Sequence, residues 1–200
     1  MRLESILKKG LKLKYAGFLM RFFAMRWGSP GEIKTSSLTV SLERTAGIWA
    51  DSQSSVALGD WIYLKSGTMV EAHDGASVRL GSNFFANRNC TIVARAGIEI
   101  GPECMLGEGV SIYDHNYRHC LGQGTFREQG YVARKIKIGA NVWIGSKAFI
   151  GSGVTIGDNV VIGANSIVVK DIPSGSVAHS ESRLMIRPLS PSAGDESRHS

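Results

Sequence analysis

Long apolar runs are missing from this 200-residue chain. No stretch of about 18 or more apolar residues occurs, so a transmembrane helix is not expected. The first residues carry no clean apolar segment followed by a small-residue cleavage site, so export is not expected either. Cysteine is scarce. Cys90, Cys104 and Cys120 are three in all, with no close pair. That argues against a disulfide frame or a zinc site and reads as reduced thiols packed in a cytoplasmic protein; a nucleophilic role for Cys120 beside the histidines is the sharper alternative. Net charge is absent beyond the first 26 residues. Arg2, Lys8, Lys9, Lys12, Lys14, Arg21 and Arg26 face Glu4 alone and account for the whole formal excess of +6. A basic character confined to one segment argues against nucleic acid as a partner.

What is abundant is glycine, 24 residues, and a repeat explains it. Ile138, Ile144, Ile150, Ile156, Ile162 and Val168 stand six apart, and Gly139, Gly145, Gly151, Gly157 and Gly163 follow the first five. A period of six is neither helical nor simple strand alternation; it predicts a parallel β-helix in which one aliphatic residue per hexad stacks on its equivalents in neighbouring coils. Glycine after it lets the chain bend where a side chain would clash. The pattern is degraded upstream, through Leu58, Leu64 and Val70, then Leu80, Ala86 and Ile92, then Ile100, Leu106 and Ile112, with slips near Asp74–Gly75 and before Ile100.

Three segments follow from this. Residues 1–55 form a lead-in, with an amphipathic helix over 2–27 whose apolar face holds Leu7, Leu11, Phe18, Phe22 and Met25. Ser29, Pro30 and Gly31 end it, and 32–55 are irregular apart from a strand candidate at Leu38–Leu42. The β-helix spans 56–177. Residues 178–200 cover its far end and finish in a disordered tail over 189–200. A basic helix rich in Phe and Leu suits either an anionic membrane surface or packing on the body of the protein. Residues 113–135 carry no hexad signal and read as a protruding loop, the usual place for function in a repeat domain. That loop opens on Tyr113-Asp114-His115-Asn116-Tyr117-Arg118-His119-Cys120. A histidine just after a regular coil is well placed to take a proton near neutral pH, and an adjacent carboxylate or carbonyl could fix its tautomer; a surface histidine in a polar loop is the plainer reading.

Tyr113-Asp114-His115 ahead of a long loop, then Ile138-Gly139-Ala140-Asn141-Val142-Trp143-Ile144-Gly145-Ser146 and the run Gly153 to Ala164, resembles the hexapeptide-repeat acetyltransferases of the maltose and galactoside O-acetyltransferase group. The closest resemblance is to the branch that acetylates bacterial surface polysaccharides. It covers roughly residues 80–175. It implies a left-handed parallel β-helix, a homotrimer with active sites between subunits, acetyl-CoA as co-substrate and no metal. It implies His115 as general base, Ser146 at the thioester oxyanion, Asn89, Asn87 and Asp114 on the acceptor sugar, and Trp143, Ser146, Lys170 and Arg187 on CoA. The chain departs from the family at Ser180 and Ser182, where glycine and proline are usual. The resemblance implies a sugar or lipid-linked glycan acceptor, in the cytoplasm or at the inner membrane face; charge and periodicity, joined to that analogy, make residues 1–26 a candidate peripheral membrane contact. N-acetylation of an amino-sugar nucleotide and a non-catalytic trimeric scaffold stay open as alternatives; the missing N-terminal βαβ pattern argues against the first.

Overall fold

The computed structural model describes residues 28–35 and 39–181. The helix expected over 2–27, the tail over 189–200 and Arg187 lie outside the described residues. The rest winds into a parallel solenoid of six coils, each coil giving one strand to each of three sheets. The first coil runs through Glu32–Thr35, Val40–Leu42 and Gly47–Ala50; the sixth runs through Thr155–Ile156, Val161–Ile162 and Ile167–Val168. A last strand, Val177–Ala178, joins the second face. Strand residues alternate buried and half-exposed or exposed, as in Ser55–Leu58 and Ile98–Ile100, so every second side chain enters the interior. Backbone bonds such as Gly101 N–H to Ile138 O at 2.8 Å tie each coil to the next.

The solenoid begins earlier than the hexad pattern suggests. Its first coil, Glu32–Thr35, Val40–Leu42 and Gly47–Ala50, lies inside the stretch expected to be irregular apart from the strand candidate at Leu38–Leu42, which is met at Val40–Leu42, and it buries Ile33, Val40, Leu42, Ile48 and Ala50. The reason is coil length. Ser55 pairs with Ser77, Thr91 with Ser111 and Lys137 with Thr155, so successive coils carry 22, 20 and finally 18 residues. Only the last length is three hexads. In the wide coils the third face presents three inward residues, as in Cys90, Ile92 and Ala94, and in the narrow ones two, as in Ala148 and Ile150. The two phase slips of the repeat are the extra residues of these wide coils, which fall at the third corner after Ala72 and after Ala94.

Corners are turned by residues with positive φ. One corner column holds Asn83 at 58°, Asn141 at 54° and Asn159 at 56°, a conformation that asparagine tolerates better than most residues. Glycines just before this corner lie against the backbone of the next coil. A Cβ on Gly101 would sit 2.6 Å from the carbonyl carbon and oxygen of Gly139. We therefore expect Gly101→Ala to force adjacent coils apart at a cost of roughly 1–3 kcal/mol. The readout is a thermal melt lowered by several degrees; an unchanged melt would show that the corner relaxes freely.

Candidate active site

The step in coil width builds the most unusual residue of the interior. Ala50, Ala72 and Ala94 stand in register on the third face and fill its last inward slot. Ser111 pairs with Thr91 and Tyr113 with Val93, so the next residue of this column is Asp114. Its side chain is 0% exposed. A buried carboxylate must be satisfied by hydrogen bonds, and this one is. Oδ1 accepts from the Arg95 N–H at 2.8 Å, and Oδ2 accepts from Ala96 and Gly97 at 2.7 and 2.6 Å. The corner of the coil below thus wraps its amides around the carboxylate. Its carbonyl accepts from the Ser152 hydroxyl at 2.7 Å and from Arg134 N–H at 2.8 Å, fixing the coil above.

His115 follows and points outward. Its Nδ1 lies 3.1 Å from Asp114 Oδ1. A carboxylate with donors aimed at it can only accept, so Nδ1 is the nitrogen that carries the proton toward it, and in the neutral ring the lone pair is then on Nε2. The ring meets Tyr113 edge-on at 5.7 Å and Tyr131 at 5.3 Å. The loop expected over 113–135 is an antiparallel arm, in which His115–Tyr117 pairs with Tyr131–Ala133. Beyond it Gln129 clamps the Cys120 backbone, accepting from its N–H at 2.8 Å and donating to its carbonyl at 3.0 Å.

The other expected site residues fall on two different corners. Asn87, Asn89 and Ser146 occupy the turn between the second and third faces; Trp143 projects from the adjoining second face, 53% exposed. Lys170 is exposed at the corner between the third and first faces, the corner of His115, two coils further on. The third face separates the groups: from Gly109, which lies one coil above Asn89, to His115 is six residues, roughly 20 Å of strand. One copy of the chain does not bring His115 together with Ser146, Trp143 or the asparagines. Asp114 is corrected outright as an acceptor contact. Wholly buried and fully bonded, it acts behind His115. Asn89 has φ 58° and lies over Gly67, where a Cβ would be 2.1 Å from its Oδ1, so it also serves as a corner residue.

Sequence reasoning missed what surrounds the histidine. Arg95 lies one coil below in the His115 column, its guanidinium 3.9 Å from the centre of the Tyr131 ring and ion-paired with Asp74. Its Nε is buried without a hydrogen-bond partner, and the ring face compensates. The Tyr131 hydroxyl donates to that of Tyr117 at 3.2 Å, which holds the Tyr131 phenol above its usual range. The signal available was spacing: Arg95 precedes His115 by one 20-residue coil. Cys90 and Cys104 are buried core residues, and burial pushes both thiols up, as packing residues rather than nucleophiles require. Among the described residues no group of three or more His, Cys, Asp or Glu side chains could hold a metal ion.

Comparison with known proteins places this geometry. Residues 135–170 match the family described as bacterial transferase hexapeptide (six repeats), and residues 88–114 match the hexapeptide repeat of succinyl-transferase. The chain is 41% identical over 107 residues to the galactoside O-acetyltransferase of Escherichia coli (strain K12), a match covering 52% of this chain and 50% of that protein. It therefore spans about half the length of that relative. Its fold superposes on a maltose O-acetyltransferase from Clostridium difficile 630 with a TM-score of 0.51 and 30% identity, covering 80% of this chain and 70% of the other. A galactoside acetyltransferase solved in complex with coenzyme A gives a TM-score of 0.51 at 24% identity over 80% and 65% of the two chains, a likeness of fold.

Asp114→Asn tests the buried pair. The amide can accept at one oxygen only, so buried N–H donors lose their acceptor, at on the order of 1–3 kcal/mol each. The expected results are a lower melting temperature and weaker protection of the Ala96 and Gly97 amides in hydrogen exchange. Native protection would remove Asp114 as the anchor of this corner.

Proposed function

This chain belongs to the hexapeptide-repeat O-acetyltransferase family, and from that premise we propose that it moves an acetyl group from acetyl-CoA to a sugar hydroxyl during assembly of an exopolysaccharide, capsule or lipopolysaccharide. The observation that carries the reading is the Asp114–His115 pair: an outward imidazole with its Nδ1 proton spoken for and its Nε2 free to accept. A sugar hydroxyl is a weak nucleophile and must lose its proton as it attacks the thioester carbon. His115 Nε2 takes that proton; the carbonyl oxygen becomes an oxyanion; its collapse breaks the C–S bond, and the imidazolium returns the proton to the departing thiolate. Both substrates bind together, so no acyl-enzyme forms. The Ser146 hydroxyl or an adjacent N–H serves the oxyanion.

The residues present suit acetyl-CoA. Met105, Trp143 and Val161 stand in register on the outside of the second face, an apolar column for the pantetheine arm. Exposed Lys170 supplies charge for phosphate. Separation of His115 from Ser146 and Trp143 by the width of the third face supports a homotrimer in which each site is completed by a neighbouring copy. The unequal outer faces agree. The first presents Arg79, Glu99 and Lys137 in register, whereas the second and third present Phe85, Met105, Trp143, Phe149 and Ile167.

Two measurements test this. Thiol release from acetyl-CoA across a panel of sugars and lipid-linked oligosaccharides should depend on acceptor and fall by about 10²–10⁴-fold in His115→Ala, with the protein sedimenting as a trimer of the 21.6 kDa chain; release unaffected by the substitution would remove His115 from the chemistry. Work on lipid-linked glycans at the inner membrane face would give residues 1–26 a role as a surface contact. Flotation with anionic liposomes should then be lost on their deletion, and equal flotation would end that part of the reading.

A further inference from the structure

The corner column that ends in His115 continues downward through three coils. Ala50, Ala72, Ala94 and Asp114 share one inward register, so the residues after them, Asp51, His73, Arg95 and His115, stack on the outside of the corner. Beside them runs the outward column Trp49, Glu71, Val93 and Tyr113. The two columns touch. The Trp49 and His73 rings lie 4.9 Å apart, tilted by 40°, and His73 Nε2 is 3.0 Å from Glu71 Oε2. Asp74 pairs with Arg95, which stacks on Tyr131 beside His115. The result is a continuous strip of half-buried rings and polar groups, about 14 Å long at the spacing of neighbouring strands, with the candidate base at one end.

We infer that this strip binds sugar units beyond the one that is acetylated, so that the acceptor is an oligomeric glycan, with Trp49 and His73 forming a distal subsite and Arg95 a proximal one. The inference rests on the acetyltransferase reading and deepens it. Position assigns the ligand. Lys170 lies toward the C-terminal coils from His115 and suits the donor, which leaves the N-terminal side of the same corner to the acceptor. Chemistry agrees. Sugars present apolar C–H faces that lie on aromatic rings and hydroxyl pairs that bond in-plane to carboxylate, imidazole and guanidinium groups. Charges of both signs, held by one another rather than massed, suit a neutral or weakly charged polyol. The strip is also longer than one pyranose.

The test is acceptor length. Acetyl-CoA thiol release is measured with malto-, galacto- and β-1,4-N-acetylglucosamine oligosaccharides of one to six units. We expect kcat/KM to rise at least about 10-fold from one unit to four. Trp49→Ala and His73→Ala should cut the four-unit value about 10-fold, mainly through KM, and the single-unit value far less; Trp49→Phe and His73→Gln, with thermal melts, guard against loss of fold. Rates independent of length, or an equal loss on every length, would overturn the strip as a subsite. So would dissociation of the trimer by Trp49→Ala, which would make it a subunit contact. Length-independent release that still needs His115 leaves the acetyltransferase standing and defeats only this inference; no release with any acceptor defeats both.

Discussion

Register between coils is the constraint on which everything else rests. Each residue lies directly over its equivalent in the coil below, tied by backbone hydrogen bonds roughly perpendicular to the chain, so any property of one position is inherited by a column. Interior columns are aliphatic because a stack of like side chains removes apolar surface at every step. Glycine columns exist because backbone lies against backbone. The candidate site is also a column: three alanines followed by an aspartate, in the last slot before the prism narrows.

That placement explains how a polar pair is held by so repetitive a scaffold. The wide coils reserve an inward position at the third corner; the narrow ones lack it. Where the two meet, a carboxylate can occupy the slot and turn to three amides of the corner beneath. Burial makes it costly unless fully bonded, and full bonding makes it rigid. The histidine beside it inherits that rigidity, the condition a general base needs if the reacting hydroxyl is to meet Nε2 at hydrogen-bonding distance. The arm beyond contributes Tyr131, which packs on His115 and Arg95 at once.

Much of this was legible in the sequence. Ile138 to Val168 gave the inner wall directly, because 18-residue coils keep every hexad in phase. His115 was legible from its place after a coil and from the motif around it, and Cys90 and Cys104 from their isolation. The first coil was not, because in 22-residue coils the inward residues cease to recur every six, and Ala, Ser and Thr fill several slots. The inward place of Asp114 was not legible locally, because the hexad pattern stops before it; only alignment with Ala72 and Ala94 shows that it faces inward. Arg95 and Trp49 gave no local signal at all, since what relates them to His115 is one coil and three coils of separation rather than nearness in the chain.

Strand spacing gives the solenoid a further property. Positions along a corner come only in steps of one coil, about 4.8 Å. A gene that gains or loses a coil below Arg95 would leave Asp114, its amides and His115 untouched, while lengthening or shortening the surface beneath them by one fixed increment. The scaffold is in that sense a ruler with equal divisions, and the reach of its surface can change by whole divisions without redesign of the corner that holds His115.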